Sequence, residues 1–349
     1  MFSQFSKKFV RDIGIDLGTA NTLVYVKDKG IVIDEPTVVA VNTKIDQIVA
    51  VGNEAKQMLG KTPSHIVVSR PLTHGVISDY EVAEKLLKFF IEKVYERGFP
   101  MFARPRVVIG VPLEVTEVET KAVEDVTLAA GASDVFVVQE PMAAAIGSRM
   151  PIEDPIGNMI VDIGGGLTQV AVISLSGVVT WKSSHLAGDE MNRNIIQYAR
   201  EIFNLFIGET HAEQIKLRVG SALALGETIE FGMRGRDVMT GLPREVMVTD
   251  SHVREAIKRT TDAIVDLITL TLEITPPELI ADIHERGILL TGGGSLLRGL
   301  DQVIALAADI PVRVADDPLT AVVRGAGALL EQASVLTAVQ LPSARATRT

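Results

Sequence analysis

At 349 residues the chain is long enough for two domains with separate cores, and 47% apolar with 22% charged residues marks it as globular rather than disordered. A net charge of −10 argues against sequence-independent binding to DNA or RNA, and the lack of cysteine excludes disulfides, a thiol nucleophile and thiolate metal sites. No apolar run reaches the roughly 18–20 residues of a spanning helix and no leader-like apolar core opens the chain, so the expectation is a cytosolic protein that meets membranes only from their surface.

Residues 1–9 place Phe2, Phe5 and Phe9 at helical spacing, with Lys7 and Lys8 off that face. This pattern fits a short amphipathic segment on an anionic bilayer, and equally a frayed terminus or a peg into the protein's own core. Strands are expected at 12–17, 22–27, 31–33, 37–42 and 48–51, then a short helix over 53–60 and a longer one over 79–95 with Val82, Leu86, Phe89, Phe90 and Val94 on one side. The segment 97–102 carries Phe99, Met101 and Phe102 around Pro100, so it either packs into the core or wants a partner. A strand at 107–111, a helix at 117–130, a strand at 134–138 and a helix opened by Glu140-Pro141 complete an α/β half, bounded by the Pro- and Gly-bearing stretch 151–157.

The second half repeats this plan, with hairpin strands to about 182, a helix from Asp189 to Phe206 and a further helix opened by 208–216. Two short β runs within 227–249 suggest an exposed flap. A long amphipathic helix spans 251–274, a strand 288–291, a glycine turn 292–294, a largely helical stretch 295–308, a strand 312–314 and a last helix 318–332, followed by a frayed tail.

The chemistry gathers at Ile160-Val161-Asp162-Ile163-Gly164-Gly165-Gly166, which reads as a strand that delivers an aspartate to a glycine turn, with a second strand leaving from Thr168. Successive glycines let backbone N–H groups converge on an anion. A carboxylate just before such a turn favours phosphate only if a hydrated Mg²⁺ lies between them. A hairpin turn without any ligand is the plainer alternative. The pattern, however, occurs twice: Asp16, Gly18, Thr22 and Val24 recur as Asp162, Gly164, Thr168 and Val170, each 146 residues later. A duplicated Asp-x-Gly-x-x-x-Thr hairpin implies a duplicated domain, and two such turns facing one another would grip one polyphosphate and its metal.

Three other features join this pair. Gly292-Gly293-Gly294 stands between a strand and a helix, where backbone can approach a base or ribose. Glu213 and Lys216 share a helix face, either as a solvated ion pair or as contacts to ribose and base. Glu140 at a helix start either answers the helix dipole or orients a water for attack on a γ-phosphate.

In this order, these features resemble the actin and DnaK-type ATPase superfamily, and within it the MreB family of bacterial actins. The likeness is carried over nearly the whole chain by IDLGTANTLVYVKDKGIVIDEPTVVAV, VGNEAKQMLGKTP, QEPMAAAIG, VDIGGG, GETHAEQIK, GRDVMTGLPREV and GILLTGGGSLLRGLD. It implies an actin-like ATPase fold, two duplicated α/β domains around a nucleotide cleft, each with a smaller subdomain. Domain I would span 1–150 with the C-terminal helix 316–335 packed back on it, domain II 151–315 with 182–250 as its smaller subdomain, and 336–349 a flexible tail. It further implies an ATP-dependent polymer of paired protofilaments on the inner membrane face, held there by Phe2, Phe5, Phe9 and the 99–102 loop, that organises cell-wall synthesis with membrane-protein partners. A metabolite kinase or a chaperone-like ATPase of the same superfamily is the alternative.

Carried over by position, Gly18, Thr19, Ala20, Asn21 and Thr22 would hold phosphates of ATP or ADP from one domain, and Gly164, Gly165 and Gly166 from the other. Asp16 and Asp162 would face Mg²⁺ through water. Glu213, Gln214, Ile215 and Lys216 would reach ribose and base, Gly292, Gly293, Gly294 and Ser295 the adenosine, and Glu140 would position the attacking water. The chain departs from the family's usual pattern in having Gln139 for Asp, Leu167 for Thr and Gln169 for Glu. The replaced threonine is one the family uses beside the glutamate, so the expected hydrolysis is slow.

Overall fold

The β-branched residues that open the chain form a meander of β1 (Ile13–Leu17), β2 (Asn21–Val26) and β3 (Gly30–Pro36). The structure, a computed structural model, describes residues 12–95 and 104–343; the segments 1–9 and 99–102 singled out above lie outside them. The chain divides into two compact units. The first runs to Ile156 and also takes Ile173–Val178 and the chain from Leu319 onward; the second takes Gly157–Val172 and Val179–Pro318. Residues 151–156 and 173–178 thus group with the first half, not with the second as the sequence boundaries had them.

In the first unit the meander is followed by β4 (Val39–Asn42), β5 (Gln47–Val51), α1 (Asn53–Met58) and β6 (Ile66–Ser69), and the three strands make a small sheet in the order β5-β4-β6. Next come the two-residue strands β7 (Leu72–Thr73) and β8 (Val76–Ile77), then α2 (Tyr80–Tyr95), β9 (Arg106–Val111), α3 (Glu117–Ala129), β10 (Asp134–Gln139) and α4 (Glu140–Gly147). The start of α3 is fixed by a reciprocal cap: the Glu119 N–H donates to the Thr116 hydroxyl at 3.2 Å and the Thr116 N–H to the Glu119 carboxylate at 2.8 Å. The main sheet runs β10-β9-β1-β2-β3, with β1, β9 and β10 parallel and β2 antiparallel to β1. Ile13, Ile15, Val107, Ile109, Leu86 and Phe90 are all fully buried in its core.

The second unit repeats that order with different residues. It is built from β11 (Asn158–Ile163), β12 (Thr168–Ser174), β13 (Gly177–Ser184), α5 (Gly188–Phe203), β14 (Leu205–Phe206), α6 (Glu209–Val219), β15 (Glu230–Asp237), β16 (Pro243–Thr249), α7 (Asp250–Glu273), α8 (Pro277–Arg286), β17 (Ile288–Thr291), α9 (Leu300–Ala308) and β18 (Val312–Val314). Its main sheet runs β18-β17-β11-β12-β13, so β11 takes the place of β1, β12 of β2 and β17 of β9.

Several elements differ from the sequence expectation, each for a local reason. The helix from Asp189 to Phe206 stops at Phe203, because Asn204 turns into the left-handed region at φ 51° and Leu205–Phe206 pairs with Asp237 and Arg236 instead. Asp189 lies inside the first turn of α5, and Ala187 occupies the cap. Helix α8 was not anticipated; its first residue is Pro277, which suits a helix start as well as it ends one. The stretch 295–308 is broken by Gly299 at φ 74°, so α9 begins only at Leu300. The flap is a regular hairpin, β15–β16, with Met233 and Val248 buried in the core of the second unit. Its turn is held by Asp237, whose carboxylate accepts from the Thr240 N–H and from the Arg244 guanidinium; these bonds hold its carboxyl down at about 2.

The chain then rejoins the first unit through α10 (Ala321–Leu329), where a Cβ on Gly325 would collide with the Ala143 carbonyl, so α10 and α4 approach backbone to backbone. Residues 336–343 are not a flexible tail. They continue α11 (Ala333–Val339), which buries Leu336 and Val339, and Leu341 N–H donates to Val137 O at 2.8 Å along the edge strand β10. Truncation after Gln332 removes two buried side chains worth about 3–5 kcal/mol together and is expected to lower the melting temperature. An unchanged melt would show that this segment contributes no stability.

Candidate functional site

The turn between β1 and β2 closes with the Gly18 N–H donating to Asn21 O at 3.1 Å, which leaves Thr19 and Ala20 at its tip and Asp16 just before it. Its shape is set from behind. Thr22 is fully buried, and its hydroxyl lies 2.9 Å from that of Thr37, which in turn donates to Gly18 O at 2.6 Å. The Thr37 N–H also donates to Ala20 O at 2.9 Å. From the side, the Gly75 N–H donates to the Thr19 hydroxyl oxygen at 2.8 Å. Thr22 therefore supports the turn from behind. Thr37 and Gly75 were not marked by the sequence, since their role depends on contacts made 19 and 56 residues away.

Glu140, also in the first unit, is the first residue of α4, immediately after β10, and only 8% exposed. Its carboxylate gains from the N-terminal end of the helix. Gly110 on the neighbouring strand β9 leaves it room: a Cβ there would stand 3.1 Å from Glu140 Cγ. The helix itself is locked by its close approach to α10, so the carboxylate stands on a rigid base.

The turn between β11 and β12 closes with the same bond at the same offset: Gly164 N–H donates to Leu167 O at 2.8 Å, as Gly18 does to Asn21. The Gly188 and Asp189 N–H groups donate to Gly164 O and Gly165 O at 3.2 and 2.7 Å, so the start of α5 braces the turn. The Thr168 hydroxyl donates to Leu186 O at 2.8 Å. Leu167 and Gln169 are both buried.

Asp162 is 8% exposed, and burial pushes its carboxyl above the ordinary carboxylate range while a hydrogen bond from Thr291 works against that rise. Asp162 and Thr291 are register partners at the ends of the parallel strands β11 and β17. Gly292 follows at φ 78°, where a Cβ would collide with the Ile163 carbonyl and stand 2.8 Å from Asp162 Oδ1. Glycine is required there on both counts. Gly293–Leu296 form a single 3₁₀ turn, and the buried Ser295 hydroxyl donates to Gly292 O at 2.6 Å.

Helix α6 carries Glu213, partly buried, and Lys216, whose ammonium donates to Gly188 O at 2.8 Å. Lys216 thus ties α6 to the segment that braces the second turn. Ile215 points into the core and is 1% exposed; Gln214 is exposed beside His211. The structure brings Asp162, Gly164–Gly166 and Gly292 together in the second unit, and Asp16 and the turn 18–22 in the first.

The MreB/Mbl protein family profile matches residues 10–338. The cell shape-determining protein MreB of Escherichia coli K12 is 47% identical over 335 residues, covering 95% of this chain and 96% of its own. The cell shape-determining protein Mbl of Bacillus subtilis is 46% identical over 323 residues, covering 93% and 96%. Among solved structures, MreB5 of Spiroplasma citri bound to ADP superposes with a TM-score of 0.88 at 35% identity over 93% of this chain and 97% of that one. The MamK double helical filament gives 0.78 at 26% identity over 92% and 98%. The fold is thus the α/β fold of these actin-like filament proteins, and the chain belongs to the MreB/Mbl family.

Proposed function

We propose that the chain is an ATP-dependent, polymerising bacterial actin with slow hydrolysis, whose filaments lie on the inner face of the cell membrane and organise wall synthesis. The observation that carries the nucleotide part is the pair of hairpin turns closed by the same backbone bond, each preceded by an aspartate. Family membership favours this cytoskeletal reading over a metabolite kinase or a chaperone-like ATPase, and MreB5 was solved with ADP and with AMPPNP.

The residues present suit a nucleotide and a hydrated divalent cation. Glycine backbone at 164–166 and 292–294 offers N–H groups without a Cβ in the way, and Gly292 sits where no side chain fits. Asp16 and Asp162 are hard oxygen donors. Among the described residues no group of three His, Asp or Glu side chains forms a metal cage, so these two carboxylates would hold Mg²⁺ through its water shell. The cation would neutralise phosphate charge. The turns at 18–21 and 164–166 bind phosphate oxygens, the 292–295 segment lies along the adenosine, and Glu213 meets the ribose. Glu140 orients the attacking water, a positioning role that needs no full deprotonation. Sedimentation with ATP, set beside anisotropy of a fluorescent ATP analogue with and without Mg²⁺, tests the assignment. Tight, Mg²⁺-dependent binding with pelleting supports it; binding without any pelleting, or none at all, removes it.

Membrane contact through Phe2, Phe5, Phe9 and the 99–102 loop is the second part. A fully buried phenylalanine is worth roughly 1.5–3 kcal/mol, and less at an interface, so one subunit anchors weakly. Within a filament these contacts act together through effective concentration. Flotation with anionic liposomes is therefore expected to depend on ATP. Deleting residues 1–9 and replacing Phe99, Met101 and Phe102 with serine is expected to abolish it; equal flotation by the altered protein would refute the anchor.

A further inference from the structure

Asp162 and its counterpart Asp16 occupy equivalent places in the two sheets, yet their neighbours differ. Beside Asp162, the Thr291 hydroxyl donates to Asp162 Oδ1 at 2.9 Å, and Thr291 is completely buried. Parallel pairing sets this contact: Met159, Ile160, Val161 and Asp162 lie opposite Ile288, Leu289, Leu290 and Thr291, so the two side chains stand abreast at the strand ends. Gly292 then covers the same oxygen from above, since a Cβ there would lie 2.8 Å from it. In the first unit the corresponding register runs Ile13, Gly14 and Ile15 against Val107, Val108 and Ile109. The next residue of β9 is Gly110, which brings no hydroxyl. The threonine beside Asp162 is thus a feature of the second sheet that the first does not repeat at this register position.

A threonine suits that place on two counts. Its β-branched side chain has few rotamers in a strand, and its hydroxyl supplies a donor to a carboxylate that water does not reach freely. A hydrogen bond to a charged group is among the stronger ones in a protein. With Oδ1 held by Thr291, the carboxylate plane is fixed and Oδ2 is the oxygen left to act. Partners that hydrogen-bond a metal's direct ligands orient them, and losing one typically costs 10–100-fold in affinity. Thr291 stands one shell further out, behind a carboxylate that would meet the cation through water, so the low end of that range applies.

We propose that Thr291 is a positioning residue that orients the Asp162 carboxylate for the water-mediated hold on the nucleotide's divalent cation. This rests on the ATP-binding reading above and adds to it the group that holds the Asp162 carboxylate in place. The hydroxyl touches neither nucleotide nor cation. Its other contact, to Val161 O, is longer at 3.5 Å, so its effect runs chiefly through Asp162 and falls on the part of nucleotide affinity that Mg²⁺ contributes.

The test measures the affinity of the full chain for a fluorescent ADP analogue by anisotropy, in Mg²⁺ and in EDTA, for wild type, Thr291→Val, Thr291→Ser and Asp162→Asn. The Mg²⁺-to-EDTA affinity ratio is expected to fall on the order of tenfold in Thr291→Val and to stay near wild type in Thr291→Ser, with the EDTA affinity the same in all three. Asp162→Asn is expected to lower the ratio at least as far as Thr291→Val. Thr291→Val is nearly isosteric; if it fails to fold, judged by its melt, Thr291→Ala is read in its place. A wild-type ratio in both Thr291→Val and Thr291→Ala while Asp162→Asn loses the Mg²⁺ dependence overturns the role of Thr291. An equal fall in EDTA shows a merely structural residue and overturns it as well. An unchanged ratio in Asp162→Asn overturns the cation assignment itself, which is the reading beneath.

Discussion

Replacing Glu140 with alanine is expected to slow phosphate release from assembled protein by on the order of 10²-fold or more, with nucleotide affinity little changed. Glu140 is the one carboxylate that opens α4, it is 8% exposed, and its helix is clamped by the backbone contact between Gly325 and Ala143. A carboxylate on so rigid a base loses little entropy in holding a water, so its removal costs the positioning in full. Glu140→Gln keeps the shape and removes the charge, and is expected to fall between the two. Leu167 offers the converse test. It is buried, and its carbonyl closes the second turn, so only its side chain is at issue. A threonine there supplies a hydroxyl for the water, and Leu167→Thr is expected to speed release severalfold, though a hydroxyl in an apolar place costs roughly 1–3 kcal/mol of stability. Single-turnover release below the melting range of the variants is the measurement. Normal hydrolysis by Glu140→Ala would remove the catalytic assignment, and a neutral Leu167→Thr would leave Glu140 as the sole positioning group.

How much of this was legible in the residues depended on whether the cause was local. The two turns were visible because the Asp-x-Gly-x-x-x-Thr pattern is short and repeated, and the structure closes both with one bond at one offset. The strands β1, β9, β11 and β17 were legible as apolar runs, since strands buried on both faces of a parallel sheet carry nearly continuous Val, Ile and Leu. What escaped was set by partners far along the chain. Thr37 locks the first turn from across the meander, Thr291 meets Asp162 at a separation of 129 residues, and Lys216 spends its ammonium on Gly188. No window of sequence contains both members of any such pair. Ile215, a candidate only by its place in the family resemblance, is turned into the core by the helical period. Helix α8 is hard to read from sequence because Pro276-Pro277 ends one helix as readily as it opens the next, proline being at home in a first turn.

Reversing the charge of Arg234 and Arg236 is expected to abolish ATP-dependent sedimentation while nucleotide binding survives. We propose that the flap 232–245, within the hairpin β15–β16, and the segment 152–158 make the head-to-tail contact along a protofilament, and that the helix over 117–130 makes the lateral contact between protofilaments. The hairpin has the chemistry of such a surface: Met239 is 82% and Leu242 65% exposed at its tip, next to basic residues on β15. A filament stays open only if two different faces of each subunit meet, so one altered face suffices to stop growth. The arginines also have partners within the chain. Arg234 pairs with Glu245 across the strands at 3.1 Å, with both side chains well exposed, and Arg236 lies over the Phe206 ring at 5.7 Å from its centroid. Reversal at Arg234 places two carboxylates opposite one another and costs roughly 0.2–1 kcal/mol, too little to unfold a hairpin that buries Met233 and Val248. A triple change that also turns Glu245 into lysine restores the cross-strand pair but not the surface charge pattern. If sedimentation returns with Glu245→Lys, the loss came from the hairpin's own pairing and the contact assignment fails; if it stays lost with an unaltered melt, the arginines act on the neighbouring subunit.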